Sequence, residues 1–189
     1  MADFSIISDV SNEVLKLLRE NICPELIQSP ESIALAVPTD KNADFQLGLY
    51  LYDIQELREY QQQDLIRLRG NKAQYPPKPL NLFFALFINT KSQFMSNMEN
   101  EQRILGRAMQ VLMDHAILYE TAEEDEDTTA SVTLLPLSYE EKTKIWSVLS
   151  VPYQLGIYFS VAPVLLSSRR IRSFKRVVAA EFDVSQRQR

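Results

Sequence analysis

At 189 residues the chain has the length of one domain, and a 46% hydrophobic content is enough for a sizeable core. A formal net charge of −5 at pH 7 argues against a protein whose work is to cover phosphate backbone, because that needs a dense basic surface, so no nucleic-acid partner is expected. One cysteine cannot form an internal disulfide, and one histidine cannot furnish a His-rich or Cys-rich transition-metal site.

The first predicted element is a helix from Ser5 to Ile22, with Ile6, Ile7, Val10, Val14, Leu17, Leu18 and Ile22 on one face and Pro24 as its stop. Asp9, Glu13 and Lys16 interrupt these apolar residues and no basic segment precedes them, which does not suit a secretory signal and points to a cytoplasmic chain. A short strand over Ile33–Val37 follows, then alternation from Phe45 to Ile54. That alternation places Phe45, Leu47, Leu49 and Leu51 on one side and Gln46, Gly48, Tyr50 and Tyr52 on the other. The turn-rich segment from Pro38 to Asp44 between them predicts a hairpin.

From Gln55 to Lys78 the composition turns polar and basic, with Arg58, Arg67, Arg69 and Lys72 ahead of the rigid Pro76–Pro77 pair. Long connections of this kind are functional or mobile, and the basic residues suit either an acidic partner or a solvated loop. From Leu80 to Asn89 the residues Leu80, Leu82, Phe84, Leu86 and Ile88 alternate with Asn81, Phe83, Ala85 and Phe87. One face is fully apolar and the other largely so, which predicts a central strand covered on both sides.

The spacing then becomes helical over Met98–His115. Ile104, Leu105, Ala108, Val111 and Leu112 fall within about 60° of one direction at ~100° per residue. Arg103, Gly106, Arg107, Gln110 and Asp114 lie opposite. A glycine inside a helix costs about 1 kcal/mol relative to alanine, and close approach of another backbone would give Gly106 a reason.

Glu120–Thr129 is acidic and reads as an exposed loop. It lacks the glycine and terminal glutamate of an EF-hand calcium loop. Ser131–Leu135 reads as a strand. Ser138 and Glu141 form a capping box that opens a helix over Tyr139–Leu149, with Ile145, Trp146 and Leu149 as its buried face. Ile145–Ser168 carries no charge, but Pro152, Gln154 and Pro163 break it, and the period-two alternation from Gln154 to Leu166 predicts a second core strand rather than a membrane span. The last segment, Ser168–Arg189, sets Arg169, Arg170, Arg172, Lys175 and Arg176 among apolar residues. It suits a strand added to a neighbour's sheet or this domain's own edge strand.

Catalytic chemistry has little to rest on. There is no glycine-rich phosphate loop, no Gly-x-Ser-x-Gly elbow and no paired-histidine metal motif. Cys23 reads as a structural thiol and His115 as a helix-end residue that suits the dipole. The chain is therefore read as no enzyme, with no catalytic residue, metal or cofactor. A deep pocket holding Cys23 with His115 would revive that class.

Tyr75-Pro76-Pro77 before the central strand, the helix segment Glu101-Gln102-Arg103-Ile104-Leu105-Gly106-Arg107-Ala108, and Ile145-Trp146 followed by Pro152-Tyr153 together resemble the cap, or tail-terminator, proteins of phage-tail-like contractile injection systems of the antifeeding-prophage and virulence-cassette type. Gln102 stands where that family commonly has a histidine. The resemblance implies a single α+β domain, a mixed β-sheet flanked by helices, over residues 1–168, with 169–189 as a basic C-terminal segment.

It also implies a structural protein that forms a ring of its own copies, six-fold, on the distal end of an inner tube and sheath, ending polymerisation and anchoring the sheath. Such a part is assembled in the cytoplasm and carried on a particle that can be released. A heterologous ring contact needs two different patches on each subunit. The candidates are the α-helical stripe of Arg103, Gly106, Arg107 and Gln110, the loop with Arg58, Arg67, Arg69 and Tyr75, and the basic segment with Arg169, Arg170, Arg172, Lys175 and Arg176. The alternative from another class is a soluble protein-binding scaffold module with no tube.

Overall fold

The computed structural model describes residues 4–40, 44–60, 64–68, 70–89, 97–123 and 126–174. Two helices cover one face of a six-stranded sheet, and a third helix covers part of the other. The first helix, α1 (Ile6–Ile22), buries Val10, Val14, Leu18 and Ile22, as its spacing predicts. Strand β5 (Lys78–Ile88) and strand β8 (Gly156–Leu166) pair antiparallel at the centre of the sheet. Leu82, Phe84, Leu86, Phe159 and Val161 are all fully buried there, and the rings of Phe84 and Phe159 stack at 5.3 Å. The long helix α2 (Met98–Asp114) opens on Asn97, whose side chain accepts from the Asn100 N–H. It lays Ile104, Leu105, Ala108, Val111 and Leu112 into the same core as α1.

The sheet order is β1-β2-β5-β8-β7-β6, in which β1 is Ile33–Leu35, β2 Leu47–Glu56, β6 Ile117–Glu123 and β7 Glu126–Leu134. The expected hairpin between the first two strands is not formed, because β1 pairs parallel to β2, with Ile33 opposite Leu47. The connection 36–46 carries the chain back to its starting end. Two forces set this register. Gln46 N–H donates to Ser32 C=O at 2.8 Å and Ala36 N–H to Leu49 C=O at 3.0 Å, while Phe45 enters an aromatic cluster on the far face of the sheet. Phe45 is therefore on the opposite side from Leu47 and Leu49, whereas strict alternation had put the three together.

That far-face cluster consists of Phe45, Phe87 and Trp146, with edge-to-face ring contacts at 5.8 Å and 5.7 Å. Trp146 arrives on the third helix, α3 (Tyr139–Val148), which begins with the predicted capping box of Ser138 and Glu141. Only Trp146 of its expected buried face is fully covered; Ile145 and Leu149 are half-buried, since α3 touches the sheet at one point rather than along a stripe. Two glycines permit this packing. A Cβ on Gly48 would lie 2.5 Å from Phe87 Cζ, and one on Gly156 would lie 2.6 Å from the carbonyl oxygen of Leu86.

The acidic tract is not an irregular loop. Its backbone pairs as β6 with β7, Glu120 opposite Thr129 and Glu123 opposite Glu126. Main-chain hydrogen bonds, to which side-chain charge is indifferent, make this pairing possible at the edge of the sheet. The long basic connection also has structure of its own, a turn at Arg58–Tyr60 and the strands β3 (Ile66–Arg67) and β4 (Lys72–Gln74). These join β9 (Ile171–Ser173) in a second sheet of order β3-β4-β9.

Candidate interface surfaces

The α2 surface comes first. Arg103 is exposed and lies 4.0 Å from Glu99 in an i,i+4 pair. Arg107 points back to α1: its Nε–H donates to the carbonyl of Asn21 at 3.1 Å, and its Nη1–H to Gln110 Oε1 at 2.9 Å. Asn21 is in the last turn of α1, where carbonyls lack intrahelical partners and the helix dipole is negative, so a guanidinium is well placed there. Arg107 and Gln110 thus help to fasten α1 to α2. The close approach proposed for Gly106 is not found among the described residues, because a Cβ there would meet nothing within 4 Å. Met109 and Met113, one and two turns on, are 43% and 62% exposed and continue the same open face. They were missed because methionine at helical spacing ordinarily reads as core.

The second and third candidate groups, distant in sequence, meet. β4 and β9 pair antiparallel with Ala73 opposite Arg172 and Gln74 opposite Ile171. Tyr75 N–H donates to Arg170 C=O at 3.1 Å, Phe174 N–H to Asn71 C=O at 2.7 Å, and the Gln74 side-chain amide to Ser168 C=O. The Arg170 guanidinium lies 4.5 Å from the centre of the Tyr75 ring, and that of Arg172 is 5.4 Å from Phe174. Arg169 lies 5.5 Å over the Phe4 ring, at the start of the chain. Arg67 is exposed on β3, and Arg58 is exposed in its turn. Arg69, Lys175 and Arg176 fall outside the described residues.

The groups with chemical potential stand in structural settings. Burial pushes the Cys23 thiol up, opposed by the nearby charge of Arg19 and reinforced by Glu31, so it stays protonated. Arg19 itself donates through Nε and Nη2 to Ile33 C=O at 3.0 and 2.7 Å, tying α1 to β1. The His115 ring contacts Val111 C=O through Nδ1 at 3.1 Å, at the end of α2. Among the described residues no cluster of His, Cys, Asp or Glu could hold a metal ion, and no helix is long and apolar enough to cross a membrane.

A mixed sheet flanked by helices is the fold this chain shares with solved tail-terminator structures. Residues 9–180 match the Pvc16 N-terminal domain family, and the chain belongs to that family. The fold is shared with the sheath/tube terminator of an extracellular contractile injection system, PVC, in its extended state: TM-score 0.66, 18% identity, 100% of this chain and 66% of that one. It is shared also with the tube-terminating cap of the anti-feeding prophage, at TM-score 0.61 and 18% identity over 94% of this chain and 61% of that one. The chain thus spans about two thirds of the length of these two neighbours. No curated protein matches it in sequence.

Proposed function

We propose that this chain is a terminator of a contractile injection system, a structural part without catalysis that closes the distal end of the inner tube and sheath. The observation that carries the reading is the likeness of fold, over 100% and 94% of the chain, to two solved structures named as a sheath/tube terminator and a tube-terminating cap, within a family that spans residues 9–180.

The physical task is to turn a polymer that adds subunits indefinitely into one that stops. A ring does this when one of its faces matches the growing end and the other does not reproduce it. Six copies in head-to-tail contact make such a ring, each presenting one patch to the neighbour before it and a different patch to the neighbour after it. The exposed α2 face around Arg103 and Gly106 and the basic β3-β4-β9 sheet are two such patches. Sheath anchoring follows if the ring's rim also engages the last sheath subunits. Assembly takes place in the cytoplasm, before the particle leaves the cell.

The test is to add purified chain to tubes growing from purified tube subunits and to image the ends by electron microscopy. The expected result is a six-fold ring at one end and a shortened length distribution. Chain scattered along the tube wall, or absent from both ends, would overturn the reading.

A further inference from the structure

The register of the β3-β4-β9 sheet sorts its side chains onto two faces, because directly opposed residues on neighbouring strands point the same way. Arg67 stands opposite Ala73 and Ala73 opposite Arg172, so both arginines share one face. Tyr75 and Arg170, joined by a main-chain hydrogen bond, form the next row of that face, two residues along each strand. The ring contacts agree with this sorting: the Arg170 guanidinium lies over Tyr75 at 4.5 Å and that of Arg172 over Phe174 at 5.4 Å. Lys72, Gln74 and Ile171 belong to the opposite face.

The arginine face is open to solvent. Arg67, Arg170 and Arg172 are exposed, and no carboxylate among the described residues forms an ion pair with any of the three. A guanidinium that rests on an aromatic ring by its flat side keeps its N–H fork free, and that fork matches a carboxylate in two parallel hydrogen bonds. The spacing is regular as well. Arg170 and Arg172 are roughly 7 Å apart along the strand at ~3.4 Å per residue, and Arg67 stands roughly 10 Å from Arg172 across two strand spacings of ~4.8 Å. An extended peptide repeats the side chains of one face at the same interval of roughly 7 Å.

We infer that the face bearing Arg67, Arg170 and Arg172 is the docking surface for an extended acidic segment of another protein, one with a carboxylate at every second residue. On the terminator reading, on which the identity of that protein rests, it is a tube or sheath subunit at the end of the polymer. Charge complementarity selects the occupant. Three cations on a chain of net charge −5 are too few to neutralise a phosphate backbone, but they suit a short row of carboxylates. A second copy is disfavoured because two chains of that net charge repel. The opposite face, where Ile66 and Ile171 are 43% and 54% exposed, stays available to the neighbouring copy in the ring.

The test is fluorescence anisotropy of a labelled peptide of alternating Asp and Thr at physiological salt. It is titrated with the full chain, with Arg170→Glu combined with Arg172→Glu, and with Lys72→Glu, which reverses a charge of the same sheet on its other face. Each variant is first confirmed as folded by circular dichroism. The expected result is saturable binding by the wild type, a loss of about tenfold or more for the arginine variant, and a change of less than about twofold for Lys72→Glu. If the arginine reversals prevent folding, Arg170→Lys with Arg172→Lys replaces them; it keeps the charge, loses the planar fork, and is expected to bind about threefold more weakly. No binding by the wild type overturns the inference, as does Lys72→Glu weakening the peptide as much as the arginine variant. Tighter binding of a thymidine oligonucleotide overturns it in favour of a nucleic acid, and self-association that the arginine variant abolishes, with the peptide unbound, in favour of a second copy. Wild-type chain that caps tubes but ignores the peptide leaves the terminator reading in place, whereas chain that binds the peptide but caps no tubes overturns that reading and keeps the docking surface.

Discussion

The indole N–H of Trp146 donates to the hydroxyl of Tyr158 at 2.6 Å, a buried bond that fastens α3 to the central strand β8. Tyr158 is paired with Ala85 in the sheet, so the bond holds α3 to the far face through a residue that is itself fixed by register. Tyr158→Phe would leave the indole donor buried without a partner, at a cost of about 1–3 kcal/mol. Chemical denaturation should show the loss as a lower midpoint with unchanged slope, and tryptophan emission should shift as the ring's surroundings loosen.

The glycines divide into those the fold needs and one it does not. Gly156→Ala drives a Cβ to within 2.6 Å of a main-chain oxygen on the strand beside it, which cannot move without breaking the β5–β8 ladder. A loss of about 2 kcal/mol or more is expected, on the scale of overpacked cores. Gly106→Ala meets open space inside a helix and should raise stability by about 0.5–1 kcal/mol. If the same substitution reduces capping of tubes while raising the melting temperature, the glycine serves contact with a neighbour rather than folding.

Arg107 bridges α1 and α2 through the Asn21 carbonyl, and Gln110 steadies it. Arg107→Ala should cost about 1.5 kcal/mol, the low end for hydrogen bonds to a charged group, because the site is partly open to water. Hydrogen exchange should rise in the last turn of α1 and leave β5 and β8 unchanged.

Alkali should unfold the chain earlier than an ordinary tyrosine count would suggest. Burial, with Asp53 and Tyr158 adding to it, holds the Tyr52 hydroxyl up at about 12, and burial raises Tyr158 too. An unfolded tyrosine ionises near ~10, so between about pH 10 and 12 the native chain keeps protons that the unfolded chain has released, and stability falls as pH rises through that window. Solvent screening at a half-buried site keeps the effect modest. Tyr52→Phe should flatten the fall in urea midpoints across this range, and an unchanged slope would refute the assignment.

The parts of the fold that were legible in the sequence are those decided locally. The apolar alternation of Leu80–Ile88, the stripe from Ile104 to Leu112 and the Ser138–Glu141 box each follow from residues within a few positions of one another, and all three stand where they were expected. The parallel pairing of β1 with β2 was not legible. It depends on Phe45 reaching Phe87 and Trp146, partners far along the chain that no periodicity can reveal. The β6-β7 ribbon was hidden for the opposite reason: its acidic side chains spoke for a loop, while the main chain settled its conformation. Among the candidate surface residues, Tyr75 and Arg170 come together only because β4 and β9 pair, whereas the roles of Arg107 and Asn21 in joining two helices had no signal short of the structure.

The most direct measurement is electron microscopy of particles from cells in which this gene has been deleted. The account predicts tubes of uncontrolled length, or particles whose sheaths fail to stay attached at the distal end, with normal length restored by the wild-type gene. Particles of normal, uniform length with intact ends would contradict it and leave a binding module with no part in ending the tube.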